Sequence, residues 1–168
     1  MKIRYLLMIL CLSSVGPFVF GSGSAMAICI FPEEPGSWVN VDANTNAITK
    51  VKVRFQCQDL VINGELYPPG FPYYVHLFGK CHPTDCDWGE VGANRLSNGW
   101  IYTTINQGFA KRFVWVKAYP GANIFTDRLR VYIWTDFVDP NRKDYAMNEW
   151  FRRQILFPTF PLLINSLG

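Results

Sequence analysis

Charge is scarce in this sequence, since Asp, Glu, Lys and Arg together make up only 17% of its 168 residues. Disordered chains are rich in charge and poor in aromatic residues. Here aromatic residues account for 16% of the chain, which excludes general disorder. The 16 basic and 13 acidic residues leave a net charge of +3. So small a net positive charge gives little electrostatic affinity for the phosphate backbone of a nucleic acid. We therefore expect no nucleic-acid partner.

The sequence also lacks the spacings of familiar catalytic and metal sites. No serine lies in a G-x-S-x-G motif, and no H-E-x-x-H pair is present. One loop does group His82 with Asp85 and Asp87, and His76 precedes it by six residues. Their spacing matches no standard ligand set, so we interpret this segment as an exposed loop. We therefore expect no catalytic residue, no metal and no cofactor.

The first 27 residues have the pattern of an export signal. Lys2 and Arg4 precede an apolar stretch at 5–12, and Ala25-Met26-Ala27 is a small-residue cleavage site. An uncleaved membrane anchor is the alternative, but Gly16-Pro17 breaks the apolar stretch short of the roughly 20 residues that a spanning helix needs. Cleavage after Ala27 leaves 141 residues with a net charge of +1. We expect a periplasmic or secreted protein with no transmembrane anchor after cleavage.

Four cysteines remain after that cleavage, and in an exported chain they predict disulfides. Three pairings are possible. We favour Cys81–Cys86, which closes a short local loop, and this leaves Cys29–Cys57. The longer bridge is expected to contribute about 2–4 kcal/mol of stability.

Strand patterns dominate the rest of the chain. In 49–58, Val51, Val53, Phe55 and Cys57 alternate with polar residues, which predicts a strand with one buried face. Asn63-Gly64 predicts a two-residue hairpin turn between 60–62 and 65–67. Further strands are predicted at 73–79, 89–96, 100–106, 109–119 and 129–137, while 144–153 fits a strand or an amphipathic helical turn. About eight short strands over residues 28–154 predict an all-β, antiparallel, up-and-down β-barrel, with a β-sandwich as the alternative.

A short motif at the start of the mature domain resembles a known group of barrels. Gly36-Ser37-Trp38 is similar to the first-strand motif of lipocalins, avidins and a bacterial metalloprotease-inhibitor family, together called calycins. In these families the tryptophan closes one end of an eight-stranded barrel. The resemblance implies that Asp144-Tyr145 and Arg152-Arg153 correspond to the late motif and closing arginine of lipocalins, although Lys143 stands where lipocalins have threonine.

Aromatic residues are the candidates for ligand binding. Tyr132 and Trp134 share a strand face with Arg130, opposite an aliphatic face, and aromatic residues beside arginines are typical of recognition surfaces. We expect a non-catalytic protein that binds a small apolar or aromatic ligand in or at the mouth of the barrel. The candidate residues are Trp88, Trp100, Trp115, Arg130, Tyr132 and Trp134.

The alternative hypothesis is recognition of a protein, as in a secreted protease inhibitor. The predicted Cys81–Cys86 bridge and Pro83 would both stiffen a loop, and a rigid loop loses little entropy on binding. The candidate recognition residues are His82, Pro83, Thr84 and Asp85. In either case we expect a monomer.

Two further features of the sequence, its basic strand residues and its C-terminal tail, each have two interpretations. Basic residues recur on three predicted strands, and an acidic glycan or lipid head group could bind them if those strands are neighbours. These residues are Lys50, Lys52 and Arg54, then Lys111 and Arg112, then Arg128 and Arg130. The tail, 155–168, contains no charged residue and is expected to pack on the barrel, with an extended partner-binding strand as the alternative.

Overall fold

The computed structural model describes residues 29–155. The predicted export signal at 1–27 lies outside the described residues, as does the predicted tail from residue 156 onward. Within residues 29–155 no helix is long and apolar enough to cross a membrane.

The structure confirms the predicted all-β barrel. Eight strands close into one antiparallel barrel in the order β1-β10-β9-β8-β7-β6-β5-β2, and β3 and β4 form a separate hairpin. The strands are β1 Gly36–Asn40, β2 Ile48–Phe55, β3 Leu60–Ile62, β4 Glu65–Tyr67, β5 Tyr73–Gly79, β6 Cys86–Arg95, β7 Ile101–Asn106, β8 Ala110–Tyr119, β9 Arg128–Phe137 and β10 Tyr145–Arg153.

Three predicted segments differ in detail from the observed strands. β2 ends at Phe55, three residues before the predicted end at 58, so Cys57 lies after the strand. β6 begins at Cys86, three residues earlier than predicted. The ambiguous segment 144–153 is strand β10, because it pairs with β9 from Tyr145 to Arg152 and also with β1. Pairing on both sides satisfies the backbone of β10 as a strand, which the local sequence alone does not specify.

Side chains from all eight barrel strands fill the interior. Alternate residues point inward, as the period of two predicts, and the inward residues are mainly valine, isoleucine and leucine. Fully or almost fully buried examples are Trp38, Ile48, Val51, Val75, Leu77, Ala93, Ile101, Val114, Val116, Leu129, Val131, Ile133 and Phe151.

One end of the barrel, here called the closed end, is held by an arginine that lies over a tryptophan. Trp38 of β1 is completely buried, and the guanidinium of Arg153 from β10 lies 4.2 Å from its ring centroid. Arg153 also pairs with Asp127 at 3.2 Å and donates to the carbonyl oxygens of Glu33 and Pro35. These contacts join the last strand to the first strand and to the segment before it.

A second ion pair lies at the same end. The Glu34 carboxylate is only 4% exposed and accepts hydrogen bonds from Arg95 at 2.6 and 3.3 Å. Trp38 Nε1 donates to the carbonyl oxygen of Glu34 at 2.8 Å. The buried charge of Glu34 is therefore paired and hydrogen-bonded, which its burial requires.

The hairpin β3–β4 has the predicted turn. Asn63 and Gly64 both have positive φ, at 54° and 85°, as a type I′ turn requires. All six strand residues of the hairpin are exposed, so it projects from the connection between β2 and β5. Gln58 braces its base by donating to the carbonyl oxygens of Pro68 and Gly70.

Both predicted disulfides are present. Cys29–Cys57 ties the segment before β1 to the chain just after β2, and Cys81–Cys86 closes the connection between β5 and β6. Two disulfides fit an oxidising environment outside the cytoplasm.

The closed end leads to a stability prediction. We expect Arg153→Ala to lower the free energy of unfolding by about 3 kcal/mol, because it leaves the largely buried Asp127 without its cation. Arg152→Ala is the matched control: its side chain is exposed on the outer wall, and its cost should be within about 0.5 kcal/mol. Urea unfolding followed by tryptophan fluorescence measures both, and equal unfolding midpoints would contradict the role given to Arg153.

Candidate ligand-binding site

The predicted ligand-binding residues separate into two regions. Four of the six line one concavity of about 290 Å³ on the outer surface of the barrel, and Asn98 completes it. We call this concavity the wall pocket; its lining residues are Asn98, Trp100, Trp115, Arg130 and Tyr132. Trp88 lies elsewhere, at the end of the barrel opposite the closed end.

Strand register assembles the wall pocket. Tyr102 of β7, Trp115 of β8 and Tyr132 of β9 are direct cross-strand partners whose side chains point outward. Their ring centroids are 5.2 and 5.4 Å apart, so the three rings form a continuous aromatic row. Trp100 comes from the turn before β7.

Trp134 belongs to the same outer surface but lies outside the wall pocket. It sits two residues beyond Tyr132 on β9, opposite Phe113 of β8, and is 39% exposed. The alternation therefore placed Tyr132 and Trp134 on the outer face, whereas only Tyr132 lines the concavity.

Trp88 lines the open end of the barrel. It is partly buried against the core near the start of β6, and its indole packs closely against β5 at Gly79. A Cβ atom at Gly79 would come within 2.7 Å of the indole nitrogen, so only glycine allows this close approach. The guanidinium of Arg112 lies over the Trp88 ring, 4.0 Å from its centroid.

Arg112 is the functional candidate that the sequence interpretation assigned to the wrong face. The sequence interpretation groups it with Lys111 among the basic surface residues, but adjacent residues of a strand point to opposite sides. Arg112 faces inward and is only 6% exposed. The signal was present, since Ala110, Val114 and Val116 on the same face of β8 are all buried.

The hydrogen-bond partners of Arg112 are all uncharged. Its Nε donates to Gln107 at 2.8 Å, and its Nη1 donates to Thr135 at 3.2 Å and to the Tyr145 hydroxyl at 3.3 Å. Within residues 29–155, Nη2 makes no hydrogen bond and no carboxylate lies within ion-pair distance of Arg112. By contrast Arg95 and Arg153, at the closed end, each pair with a carboxylate.

A concavity of about 540 Å³ opens above Trp88, and we call it the mouth cup. Its walls are the loop 42–47, between β1 and β2, and the side chains of Trp88, Tyr145, Met147 and Glu149. Arg112 is adjacent to the cup, because Trp88 and Tyr145, which line it, both contact the guanidinium.

The lining of the mouth cup contains two acidic residues, Asp42 and, near the pairing of β1 with β10, Glu149. The Glu149 carboxylate accepts hydrogen bonds from Asn40 Nδ2 at 2.8 Å and from Thr45 Oγ1 at 3.1 Å. These two donors fix the carboxylate at the edge of the cup, where β1 meets β10.

The basic residues of the three predicted strands do not lie on one continuous surface of the barrel. The barrel order places β8 and β9 side by side, but β1 and β10 separate β2 from them. Lys111, Arg128 and Arg130 therefore share one outer wall, and Lys50, Lys52 and Arg54 lie on another. On that second wall, Lys50 lies over Phe78 and Arg54 over Tyr74.

The predicted recognition loop is exposed at the open end. His82, Pro83, Thr84 and Asp85 all lie in the accessible stretch that the Cys81–Cys86 bridge closes. Asp85 accepts a hydrogen bond from Thr49 at 2.7 Å, which ties the loop to β2. Recognition of a protein by this loop stays a prediction.

The histidines occupy different positions. His82 is exposed and makes no side-chain hydrogen bond within the described part of the chain, whereas His76 Nε2 hydrogen-bonds Asp87 Oδ1 and stacks on Phe78. The structure thus brings together His76 and Asp87 alone from the four residues that the sequence grouped. The Gly89 N–H and, second, His76 hold the pKa of the Asp87 carboxyl below its ordinary value.

Comparison with known proteins yields no match: no family model, no curated protein and no solved structure is significantly similar to this chain.

The Asp87 contacts predict a measurable change. We expect His76→Gln to raise the Asp87 pKa towards its ordinary value without reaching it, because the Gly89 N–H still donates to the carboxylate. Carboxyl ¹³C NMR titration measures this pKa. Since the folded-state pKa is lowered, the associated stability is present above the unfolded pKa and is lost as pH falls through the folded pKa.

The control for this titration is His82→Gln, which removes an exposed histidine from the same loop region and should leave the Asp87 pKa unchanged. An Asp87 pKa that does not move in His76→Gln would contradict the stated role of His76.

Proposed function

We propose that this chain is an exported, non-catalytic binding protein whose ligand is a small carboxylic acid with an apolar or aromatic body. The ligand occupies the mouth cup. Its carboxylate faces the buried guanidinium of Arg112, and its body lies against Trp88 and Met147. Export is supported by the signal pattern at 1–27 and by the two disulfides.

The observation that carries this proposal is the uncompensated charge of Arg112. A guanidinium stays protonated at all physiological pH values, and burying a charge is costly unless an opposite charge accompanies it. Neutral oxygen atoms satisfy the Nε and Nη1 donors, but they do not neutralise the charge. A ligand carboxylate would supply the missing countercharge and could accept from Nη2.

The other groups of the mouth cup restrict the ligand further. Trp88 and Met147 offer apolar surface for its body. Glu149, held in place by Asn40 and Thr45, would repel a second acidic group. The cup therefore favours a ligand with a single carboxylate. Because aliphatic side chains fill the barrel interior, the ligand is placed at the mouth rather than inside the barrel.

We also propose that the barrel is of the calycin type. Support comes from Gly36 and Trp38 in the first strand and from Arg153 of the last strand, whose guanidinium lies over the Trp38 ring. The position of Lys143 before Asp144 remains a departure from the lipocalin pattern. The carboxylate of Asp144 accepts a hydrogen bond from the Phe137 N–H at 2.9 Å, which closes the turn between β9 and β10.

Binding of benzoate and hexanoate, compared with their amides, tests the proposed function. The amides have nearly the same shape but carry no charge, so we expect each acid to bind at least about tenfold more tightly. Two-dimensional ¹H–¹⁵N NMR measures the affinities and identifies the site, since the indole N–H of Trp88 and the Nε–H of Arg112 give separate signals.

Two variants make this test specific. Arg112→Gln should abolish the preference for acids over amides, whereas Arg54→Gln, which removes an exposed arginine from the outer wall, should preserve it. Circular dichroism checks that both variants remain folded. Equal binding of acids and amides, or acid binding that leaves the Trp88 signal unchanged, would contradict the proposal.

A further inference from the structure

The wall pocket combines aromatic faces with polar groups. Trp100, Trp115 and Tyr132 provide the aromatic surface, and Asn98 and Arg130 provide hydrogen-bonding side chains. Arg130 is held in place, because its Nε donates to Asn148 at 2.9 Å and its guanidinium lies near the Trp150 ring. A volume of about 290 Å³ lies at the lower limit for small-molecule sites, which suits one ring-sized group.

Strand register also places cations opposite one another beside the wall pocket. Lys117 of β8 is the direct cross-strand partner of Arg130, and Arg128 of β9 is the partner of Arg152 on β10. Like charges directly opposite on one sheet face destabilise the sheet. None of these four cations takes part in an ion pair within residues 29–155. We call this set the cationic strip.

The position of Lys117 connects the two features. Its Nζ donates to the carbonyl oxygen of Asn98 at 3.3 Å, which holds the ammonium group over the turn that borders the wall pocket. Because the Lys117–Arg130 pair is the next outward-facing pair along β8 and β9 after Trp115 and Tyr132, an anion seated on the aromatic row would lie beside both cations. It would relieve the repulsion between these two cations.

We infer that the wall pocket is a binding site for acidic saccharides of the uronate class. One sugar ring stacks on Trp115 and Tyr132, because the C–H groups of a pyranose face are slightly positive and an aromatic face is negative. The sugar carboxylate pairs with Arg130 and Lys117, and a planar guanidinium can bind a carboxylate through two parallel hydrogen bonds. Neighbouring acidic sugars extend along the cationic strip towards Arg128 and Arg152.

A saccharide fits the observations better than a single-stranded nucleic acid, although both combine rings with negative charge. A protein that tracks single strands offers a long basic groove with successive aromatic platforms. Here the strip contains only four cations, and the predicted mature chain has a net charge of only +1. The two disulfides also favour an oxidising compartment outside the cytoplasm, away from cellular nucleic acid.

Calorimetric titration with tetragalacturonate, compared with the neutral maltotetraose, tests this inference. We expect saturable binding of tetragalacturonate, at least about tenfold tighter than that of maltotetraose, and weaker binding as sodium chloride rises because salt screens the exposed charges. No tetragalacturonate binding at 10 mM ligand, or equal affinity for the neutral saccharide, would overturn it. Tighter binding of oligothymidylate than of tetragalacturonate would also overturn it.

Three variants locate the binding. Trp115→Ala and Arg130→Gln should each weaken tetragalacturonate binding about tenfold or more, as expected for central binding residues. Trp134→Ala, which removes an exposed tryptophan from the same wall outside the wall pocket, should change it less than twofold. Circular dichroism and thermal melting check that each variant is folded. An equal loss in Trp134→Ala would overturn the assignment to the wall pocket.

A fourth variant distinguishes saccharide binding at the wall pocket from binding at the mouth cup. Arg112→Gln, on the opposite face of β8, should leave tetragalacturonate binding unchanged while it abolishes the acid preference of the cup. If Arg112→Gln weakens tetragalacturonate binding as much as Arg130→Gln does, the inference is wrong, because the saccharide is then bound at the mouth.

Discussion

The contact between Arg153 and Trp38 is the interaction on which the rest of the barrel depends. It connects the last strand to the first, and its hydrogen bonds reach the chain before β1 as well. A sheet of eight strands becomes a barrel only when its two edge strands pair, and β1 is the shortest of the eight. The additional contacts of Arg153 compensate for the few ladder hydrogen bonds that so short a strand can make.

The buried charges at the two ends of the barrel have different kinds of partner. At the closed end, Glu34 and Asp127 accompany the arginines that lie near them, so the charges are neutralised within the protein. At the open end, the hydrogen-bond partners of Arg112 among the described residues are all uncharged. Buried charge is thus neutralised within the protein at the closed end, whereas at the open end the guanidinium of Arg112 has no carboxylate within ion-pair distance among residues 29–155. The proposed function follows from that difference rather than from a hollow interior.

The fold was largely predictable because its signals are local. Alternation in β2, β8 and β9, the Asn63-Gly64 turn and the cysteine spacing each identify structure within a few residues. β10 stayed ambiguous because only its pairing with β9 and β1 defines it. The candidate sites were less predictable. Trp88 and Trp115 both belong to barrel strands, yet their positions along β6 and β8 place one at the mouth and the other on the outer wall. Arg112 could have been assigned inward from alternation alone.

Pairing of the first and last strands also affects how the molecule is made. Arg153 bonds to a carbonyl oxygen 118 residues before it in the chain, so this contact is among the most distant in sequence. During synthesis, the strands from β1 to β9 can form only an open sheet, with a free edge on β1 and another on β9. Contacts of such long range are slow to form, and open edges are sites of aggregation. The protein therefore passes through its most vulnerable state just before its tenth strand arrives.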